Sequence, residues 1–423
     1  MNSNNKILMI ASGFKPYAGM KNILVTHLVK QLQDRGYIVD ILTTGSPLRD
    51  DISGLMDRDV DVKIHRVSSG ITRKCLYTGS GPSSYEESNV WRKKLRDLYR
   101  KLIFPLIFPD RDFEWILWGW LRGMQLLRSG SYRLLLSDAP PFSDHFVAYF
   151  LKRRYGTKWI AHYSDPWVFN PNLNLPRWRR RLDMTVEKRI LREMDAVLLA
   201  TDASRDEYLR RYRSLNPKKT SVIGYGYDKG AFEALEAKRL SDGFSLVYTG
   251  SFYEDVRSAM MLLGALQKVP KGVRTIICGS VPGEYKRIAQ EYGIDDRIMF
   301  LDEQPLGTSL ALQKGADVLL LFGWVAGYQI PGKFYEYVGA KRPILAIAYD
   351  DGDIAASYVE ELNRGVVVKN DTENISKAIT KLYELWTRGE LDRTFNLQDI
   401  EGFRWENRAE KVAEIIDEVL RGK

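Results

Sequence analysis

The stretch Ile330-Pro-Gly-Lys-Phe-Tyr-Glu-Tyr-Val-Gly-Ala-Lys-Arg-Pro-Ile-Leu-Ala346 decides the fold. It reads as an exposed loop, then a short helix carrying Lys333 and Glu336, then a buried strand. A helix start beside strand ends is a ready anion site, because its free N–H groups and dipole favour negative charge. Lys333 adds a cation suited to a diphosphate, and Glu336 can accept hydrogen bonds from two ribose hydroxyls. The plainer alternative is an ordinary surface helix with a solvated Lys/Glu pair.

Outward from this point the chain alternates strand and helix. Ahead of it run strand Phe244–Gly250, helix Ala259–Gln267, strand Thr275–Cys278, helix Glu284–Tyr292, strand Ile298–Phe300, helix Thr308–Gly315 and strand Val318–Leu321. An earlier series opens with strand Lys6–Ala11, a glycine-containing loop, an amphipathic helix from Asn22 to Arg35 ended by Gly36, and strand Tyr37–Thr43. Further strands are expected at Asp61–Val67, Leu134–Leu136, Lys158–His162, Ala196–Ala200 and Ser221–Ile223. Crossover helices between strands imply parallel sheets, and two such series imply two Rossmann-like domains. The join falls in Gly224-Tyr-Gly-Tyr-Asp-Lys-Gly230, a connection suited to a hinge, and the last helix is expected over Glu406–Leu420.

The length of 423 residues suits two domains rather than one core. Two cysteines, Cys75 and Cys278, offer no disulfide framework and no zinc spacing, which fits a reducing compartment. No run of apolar residues is long enough to span a membrane, and Met1–Lys6 leads directly into the first strand without a signal peptide. A cytoplasmic protein is expected. The net charge of +9 is uneven: through Tyr225 there are 38 Lys and Arg against 23 Asp and Glu, and from Gly226 onward 25 against 31. A basic half attracts nucleic acid, anionic lipid or phosphorylated acceptors. There is no G-x-G-x-x-G and no P-loop, which argues against dehydrogenase and NTPase chemistry. Asp57, Asp59 and Asp61 alternate in a polar stretch better explained as a solvated face, so no metal site is expected.

The Pro331–Glu336 stretch resembles the donor-binding signature of the family-4-like, retaining glycosyltransferases of the GT-B fold. That resemblance extends over nearly the whole chain. It implies two Rossmann-like domains facing across a cleft: an acceptor-side domain over 1–225, completed by a crossover helix at 404–423, and a donor-binding domain over 226–403. Tyr248-Thr-Gly-Ser-Phe252 resembles the family's diphosphate loop, with Arg257 at the position usually held by Lys. Gly250, Ser251, Arg257 and Lys333 would then hold the departing diphosphate without a metal or other cofactor. Glu336 would grip the ribose, and Leu301 would lie against the base. Many members carry an acid eight residues before that glutamate; here the position is Tyr328, and the backbone of Tyr328, Gln329 and Ile330 would replace its sugar contact. In the first domain, Trp159-Ile-Ala-His-Tyr-Ser-Asp-Pro-Trp167 resembles the family's D-x-x-D-P-W element, with His162 replacing the first acid. His162 or Asp165 would orient or deprotonate the acceptor hydroxyl or touch the donor sugar. Gly19 would let the first loop approach the donor phosphate. Asp165, His162, Arg257 and Lys333 are thus the expected catalytic residues, while His65 and His145 read as structural.

Two basic, aromatic segments suggest a membrane surface. Leu175-Pro-Arg-Trp-Arg-Arg-Arg181 supplies Arg177, Arg179, Arg180 and Arg181, and the segment from Trp91 to Pro105, followed by the aromatic run Phe113-Glu-Trp-Ile-Leu-Trp-Gly-Trp120, supplies Lys93, Lys94 and Lys101. Cations mixed with Trp, Phe and Leu suit anionic head groups, unless the apolar residues simply face inward. The expectation is a nucleotide-diphospho-sugar glycosyltransferase, using a UDP-sugar and a lipid-linked saccharide acceptor. It would work in bacterial surface polysaccharide synthesis, peripheral at the inner membrane face, without nucleic acid. The rival is an inactive GT-B subunit that binds sugar nucleotides within an assembly complex; a GT-B epimerase is a third reading.

Overall fold

The structure is a computed structural model describing residues 5–12, 14, 20–45, 62–70, 103–128, 132–170, 173, 175–252, 259–323 and 327–422. The chain divides into two compact units. The first runs to Gly224 and takes in Glu406–Lys423, and the second is built on Tyr225–Trp405.

The first unit holds strands β1 (Lys6–Ile10), β2 (Ile38–Thr44), β3 (Lys63–Val67), β4 (Tyr132–Ala139), β5 (Lys158–Tyr163), β6 (Ala196–Leu199) and β7 (Thr220–Val222). Among the described residues they form one parallel sheet in the order β3-β2-β1-β4-β5-β6-β7. Runs such as Leu134-Leu-Leu136 are buried on both sides, as strands covered by helices on both faces must be. Among the described residues its helices are α1 (Met20–Asp34), α2 (Phe113–Leu127), α3 (Ser143–Tyr155), α4 (Arg177–Glu193) and α5 (Asp202–Arg211). Gly36, at φ 81°, supplies the left-handed turn that closes α1.

The second unit contains α6 (Lys229–Ala234), β8 (Phe244–Thr249), α7 (Met260–Leu266), β9 (Val273–Cys278), α8 (Gly283–Glu291), β10 (Ile298–Leu301), α9 (Leu306–Gly315) and β11 (Val318–Phe322). It continues with α10 (Gly332–Gly339), β12 (Ile344–Ala348), α11 (Ile354–Glu361), β13 (Gly365–Lys369), α12 (Thr372–Thr387) and α13 (Leu391–Thr394). Its parallel sheet runs β10-β9-β8-β11-β12-β13. Strand order reverses between β8 and β11, and in the first unit between β1 and β4. Open α/β sheets bind ligands at the strand C-termini beside such reversals.

The final helix, α14 (Trp405–Arg421), belongs to the first unit. Ala409, Val412, Ala413, Ile416 and Val419 recur at three- and four-residue spacing and join the core of Ile7, Met9, Val25 and Leu134. Each fully buried side chain the size of Val412 or Ile416 contributes roughly 1.5–3 kcal/mol relative to exposure. Asp417 adds a hydrogen bond from Tyr37 and an ion pair with Arg35 at 3.2 Å.

Within the glycine-rich join, Tyr227 is tied to the later part of the second unit. Tyr227 N donates to Phe403 O at 2.9 Å, and Trp405 N donates to Tyr227 O at 3.0 Å. The Tyr227 hydroxyl also hydrogen-bonds to Asp399. The outgoing and returning chain segments therefore run side by side.

Candidate functional site

The ends of β8, β9, β10 and α10 meet at the reversal in the second sheet. Gly250 N donates to Cys278 O at 2.8 Å, and Gly279 N donates to Leu301 O at 2.9 Å, stitching the three strand ends together. Gly279 has φ 146°, and a Cβ there would lie 2.2 Å from Gly250 O, so no other residue fits this close approach. Tyr337 of α10 is fully buried, and its hydroxyl accepts from Thr249 N at 3.1 Å, which pins the helix to the end of β8. Burial raises the Tyr337 phenol above its ordinary pKa, keeping it neutral.

Lys333 and Glu336 both project from this helix. Lys333 stands in the first turn, and Glu336 one turn further in. The Lys333 ammonium donates to Glu336 Oε2 at 2.7 Å. Glu336 is only 5% exposed, so this is a nearly buried carboxylate rather than a solvated surface pair. A second donor shares the same oxygen: Gln313 Nε2 of α9 lies 2.7 Å from Glu336 Oε2 and 2.9 Å from Thr249 Oγ1. Gln313 is fully buried, so α9 fixes the carboxylate from behind while Lys333, partly exposed, reaches it from the front. Burial pushes the Cys278 thiol up, partly countered by a hydrogen bond with Ser309 and by the Lys333 charge. Ser251 and Leu301 are half-buried at the neighbouring strand ends, and Ile330 is buried ahead of the helix. Tyr328 and Gln329 are half-buried in the same approach. The arrangement presents a helix start, one cation and one anchored carboxylate, a set suited to a phosphorylated nucleoside.

In the first unit, β4 and β5 lie in register with Asp138 opposite His162. The pair is buried, with His162 Nδ1 at 2.5 Å from Asp138 Oδ1. With Nδ1–H donating to the carboxylate, Nε2 of a neutral imidazole carries the free lone pair. That buried Nε2 makes no hydrogen bond among the described residues. Asp165 is half-buried, two residues beyond β5. The Asp-Pro-Trp turn is anchored by Trp167, 2% exposed and stacked on Phe142 at 5.2 Å between centroids. Ser164 N and Oγ both donate to Ala139 O, at 3.0 and 2.8 Å, tying this turn to the end of β4. His145 Nδ1 meets Ser137 Oγ at 2.8 Å under the ring of Tyr163, and His65 Nε2 lies 3.2 Å from Asp40.

One arginine of the basic run is not a surface residue. Arg179 is 2% exposed and forms an ion pair with Asp183 at 2.7 Å. Its guanidinium donates to the carbonyls of Pro105, Ile107 and Pro109 at 2.6–2.7 Å and lies over the Phe108 ring. It was expected to meet lipid; instead it clamps the turn before α2 onto α4, because the side chain at that helical position faces inward. Arg177, Arg180 and Arg181 are exposed. Gly19, Lys93, Lys94, Lys101 and Arg257 lie outside the described residues.

Sequence reading missed Gln313, Thr249 and Asp138. Thr249 lay inside the quoted Thr-Gly-Ser loop, and Asp138 stands two residues beyond the expected strand Leu134–Leu136, so position at a strand end was the available signal. Gln313 left none: its helix also carries Thr308, Ser309 and Lys314, so a polar side chain there is not distinctive.

Residues 22–226 match the family described as glycosyl transferase 4-like domain, and residues 243–385 match glycosyl transferases group 1. Among solved structures, sucrose-phosphate synthase from Thermosynechococcus elongatus is similar at TM-score 0.68 and 19% identity, covering 99% of this chain and 100% of that one. Anabaena HepE, solved with UDP and glucose, is similar at TM-score 0.66 and 15% identity, covering 98% of this chain and 100% of that one. A curated relative, D-inositol 3-phosphate glycosyltransferase of Corynebacterium glutamicum, is 25% identical over 167 residues. That alignment spans 33% of this chain and 40% of the relative's length. With one family model on each unit and two Rossmann-like sheets, the chain belongs to the GT-B glycosyltransferases, a transferase enzyme with a 4-like first domain and a group 1 second domain.

Proposed function

We propose that this glycosyltransferase takes its sugar from a UDP-sugar and delivers it, with retention and without a metal or other cofactor, to a lipid-linked saccharide. The setting would be bacterial surface polysaccharide synthesis at the inner face of the membrane. The observation that carries the donor reading is the anchored carboxylate of Glu336 beside Lys333 at the start of α10. Glu336 takes the ribose hydroxyls, and Lys333, with Arg257, meets the diphosphate. HepE was solved with UDP-glucose as well as UDP, which supports UDP as the nucleotide. WaaG and WaaB, glycosyltransferases of lipopolysaccharide synthesis, are similar at TM-score 0.56, which lends the acceptor class fold-level support alone.

In the reaction the bond between the anomeric carbon and the diphosphate oxygen breaks and a bond to the acceptor oxygen forms. The acceptor proton ends on the released nucleotide. Cations raise kcat when they meet the charge building on the leaving oxygen. His162, held by Asp138, offers Nε2 to a sugar or acceptor hydroxyl; Asp165 is the alternative partner. Gly19, Gly250, Ser251 and the Tyr328–Ile330 backbone complete the proposed donor contacts.

The test is a panel of nucleotide-sugars assayed by thermal stabilisation, then by donor turnover and the anomeric configuration of the product. The expected result is stabilisation by UDP-sugars, slow donor hydrolysis without acceptor, and a product of retained configuration that forms in EDTA. Absence of any UDP-dependent stabilisation or turnover overturns the donor assignment, and an inverted product overturns the stereochemistry.

A further inference from the structure

We propose that the outer face of α2 is an insertion surface by which the first unit docks into an anionic phospholipid bilayer. This deepens the membrane reading above and rests on it. Helix α2, Phe-Glu-Trp-Ile-Leu-Trp-Gly-Trp-Leu-Arg-Gly-Met-Gln-Leu-Leu, is apolar nearly all round. Its inner face of Trp115, Gly119, Gly123 and Leu127 is buried, the glycines lying against Val147 and Leu151 of α3. Its outer face is apolar too: Phe113, Leu117 and Leu121 are 37%, 53% and 37% exposed, with Trp118 beside them at 46%. Positions i, i+4 and i+8 form one stripe, where a water-facing helix would carry polar residues. Ile103 and Leu106, at 50% and 70% exposure in the preceding turn, extend the apolar surface. The Arg179 clamp binds this turn to the start of α4, where Trp178 is 51% exposed. Contiguous apolar exposure of this kind marks a membrane or partner site.

Charge selects lipid as the occupant. Arg128 follows Leu121 by seven residues and falls on the same stripe, at the end where α3 finishes in exposed Arg153 and Arg154. At the opposite end Arg177, Arg180 and Arg181 are exposed around Trp178. The exposed positions 113, 117, 118 and 121 of α2 carry no acid, and Glu114, one turn before Trp118, is half-buried. An apolar strip with cations at both ends matches head-group phosphates above acyl chains, the geometry of a helix seated ~5–10 Å into the interface. A second copy docking by a two-fold axis would set these arginines against their own kind.

The experiment compares wild type with Leu117→Gln/Leu121→Gln, both exposed positions where glutamine keeps helix propensity. Cosedimentation uses phosphatidylcholine vesicles with and without phosphatidylglycerol, and UDP binding is measured on the same samples. The wild type is expected to prefer phosphatidylglycerol vesicles, and the variant to lose about tenfold or more of that partition with UDP binding and thermal unfolding unchanged. Independently, vesicles should blue-shift tryptophan emission, and Trp118→Phe should shrink that shift without abolishing binding. Equal partition of variant and wild type, or an unchanged shift in Trp118→Phe, overturns the proposal. Conversion from dimer to monomer by the variant, without a change in partition, would overturn it in favour of a second copy. A wild type that binds UDP but ignores vesicles removes the insertion surface and leaves the donor reading standing, whereas loss of UDP binding alone strikes the donor reading.

Discussion

Replacing Glu336 by glutamine is expected to weaken nucleotide binding about tenfold while leaving the fold intact. The glutamine side chain has the same shape, and its amide oxygen can still accept from Gln313 Nε2 and Lys333, both now 2.7 Å from Oε2. What disappears is the negative charge. A hydrogen bond to a charged group contributes ~1.5–3 kcal/mol, against ~0.5–1.5 for a neutral one. The difference is therefore about 1–1.5 kcal/mol for each ribose contact, and 1.4 kcal/mol, about one such contact, corresponds to about tenfold in Kd. Alanine is predicted to do more, because it strands two donors unequally. Lys333 is 27% exposed and can rehydrate, but Gln313 is fully buried and cannot. Its Nε2 keeps the bond to Thr249 Oγ1 but loses the one to Glu336, and an N–H left unpaired in the interior costs ~1–3 kcal/mol of stability, so Glu336→Ala should also lower Tm. Calorimetric titration with UDP and 2′-deoxy-UDP is the assay. Wild type should discriminate between the two ligands, and Glu336→Gln should discriminate little. If the glutamine variant binds both as wild type does, Glu336 does not hold the ribose and the donor site described here is wrong.

Lys333→Ala and Arg257→Ala should each lower kcat by ~10²-fold or more in steady-state assays, as expected of groups that meet developing charge; a rise in KM alone would make them simple binders. Arg179→Leu is expected to cost ~3–5 kcal/mol in urea unfolding because Asp183 and three carbonyls lose their buried partner, whereas Arg180→Ser should stay within about 0.5 kcal/mol. Glu187 is buried, and desolvation pushes its carboxyl up to about 7 against hydrogen bonds from Tyr212 and Tyr208. Its folded-state pKa exceeds the ordinary 4.5, so the stabilising proton is present below pH 4.5 and is lost as pH rises through about 7. Glu187→Gln should flatten that part of the stability–pH curve, and an unchanged slope would assign the pH dependence elsewhere.

Much of the architecture was legible because parallel strands buried on both faces leave short apolar runs between amphipathic helices. The Pro331–Glu336 signature likewise pointed to a helix beside strand ends. Side-chain direction was less accessible. Arg179 sits among four arginines, and only the helical phase fixed by Asp183 and the Pro105–Pro109 carbonyls turns it inward. Gln313 joins Thr249, 64 residues away, and Glu336, 23 residues away, through contacts that no local spacing encodes. Asp138 and His162 become partners only through the register of two strands.

The placement of α14 orders the history of the chain as well as its structure. Ala409, Val412, Ala413, Ile416 and Val419 fill one side of the first unit's core, yet a ribosome makes them only after the entire second unit. The first sheet must therefore wait, with Ile7, Met9 and Val25 uncovered, while roughly half the chain is still being synthesised. Vectorial synthesis usually lets the earlier domain fold first. Here the later one can finish before it, and a fragment ending at the inter-unit join would expose an apolar groove that invites aggregation.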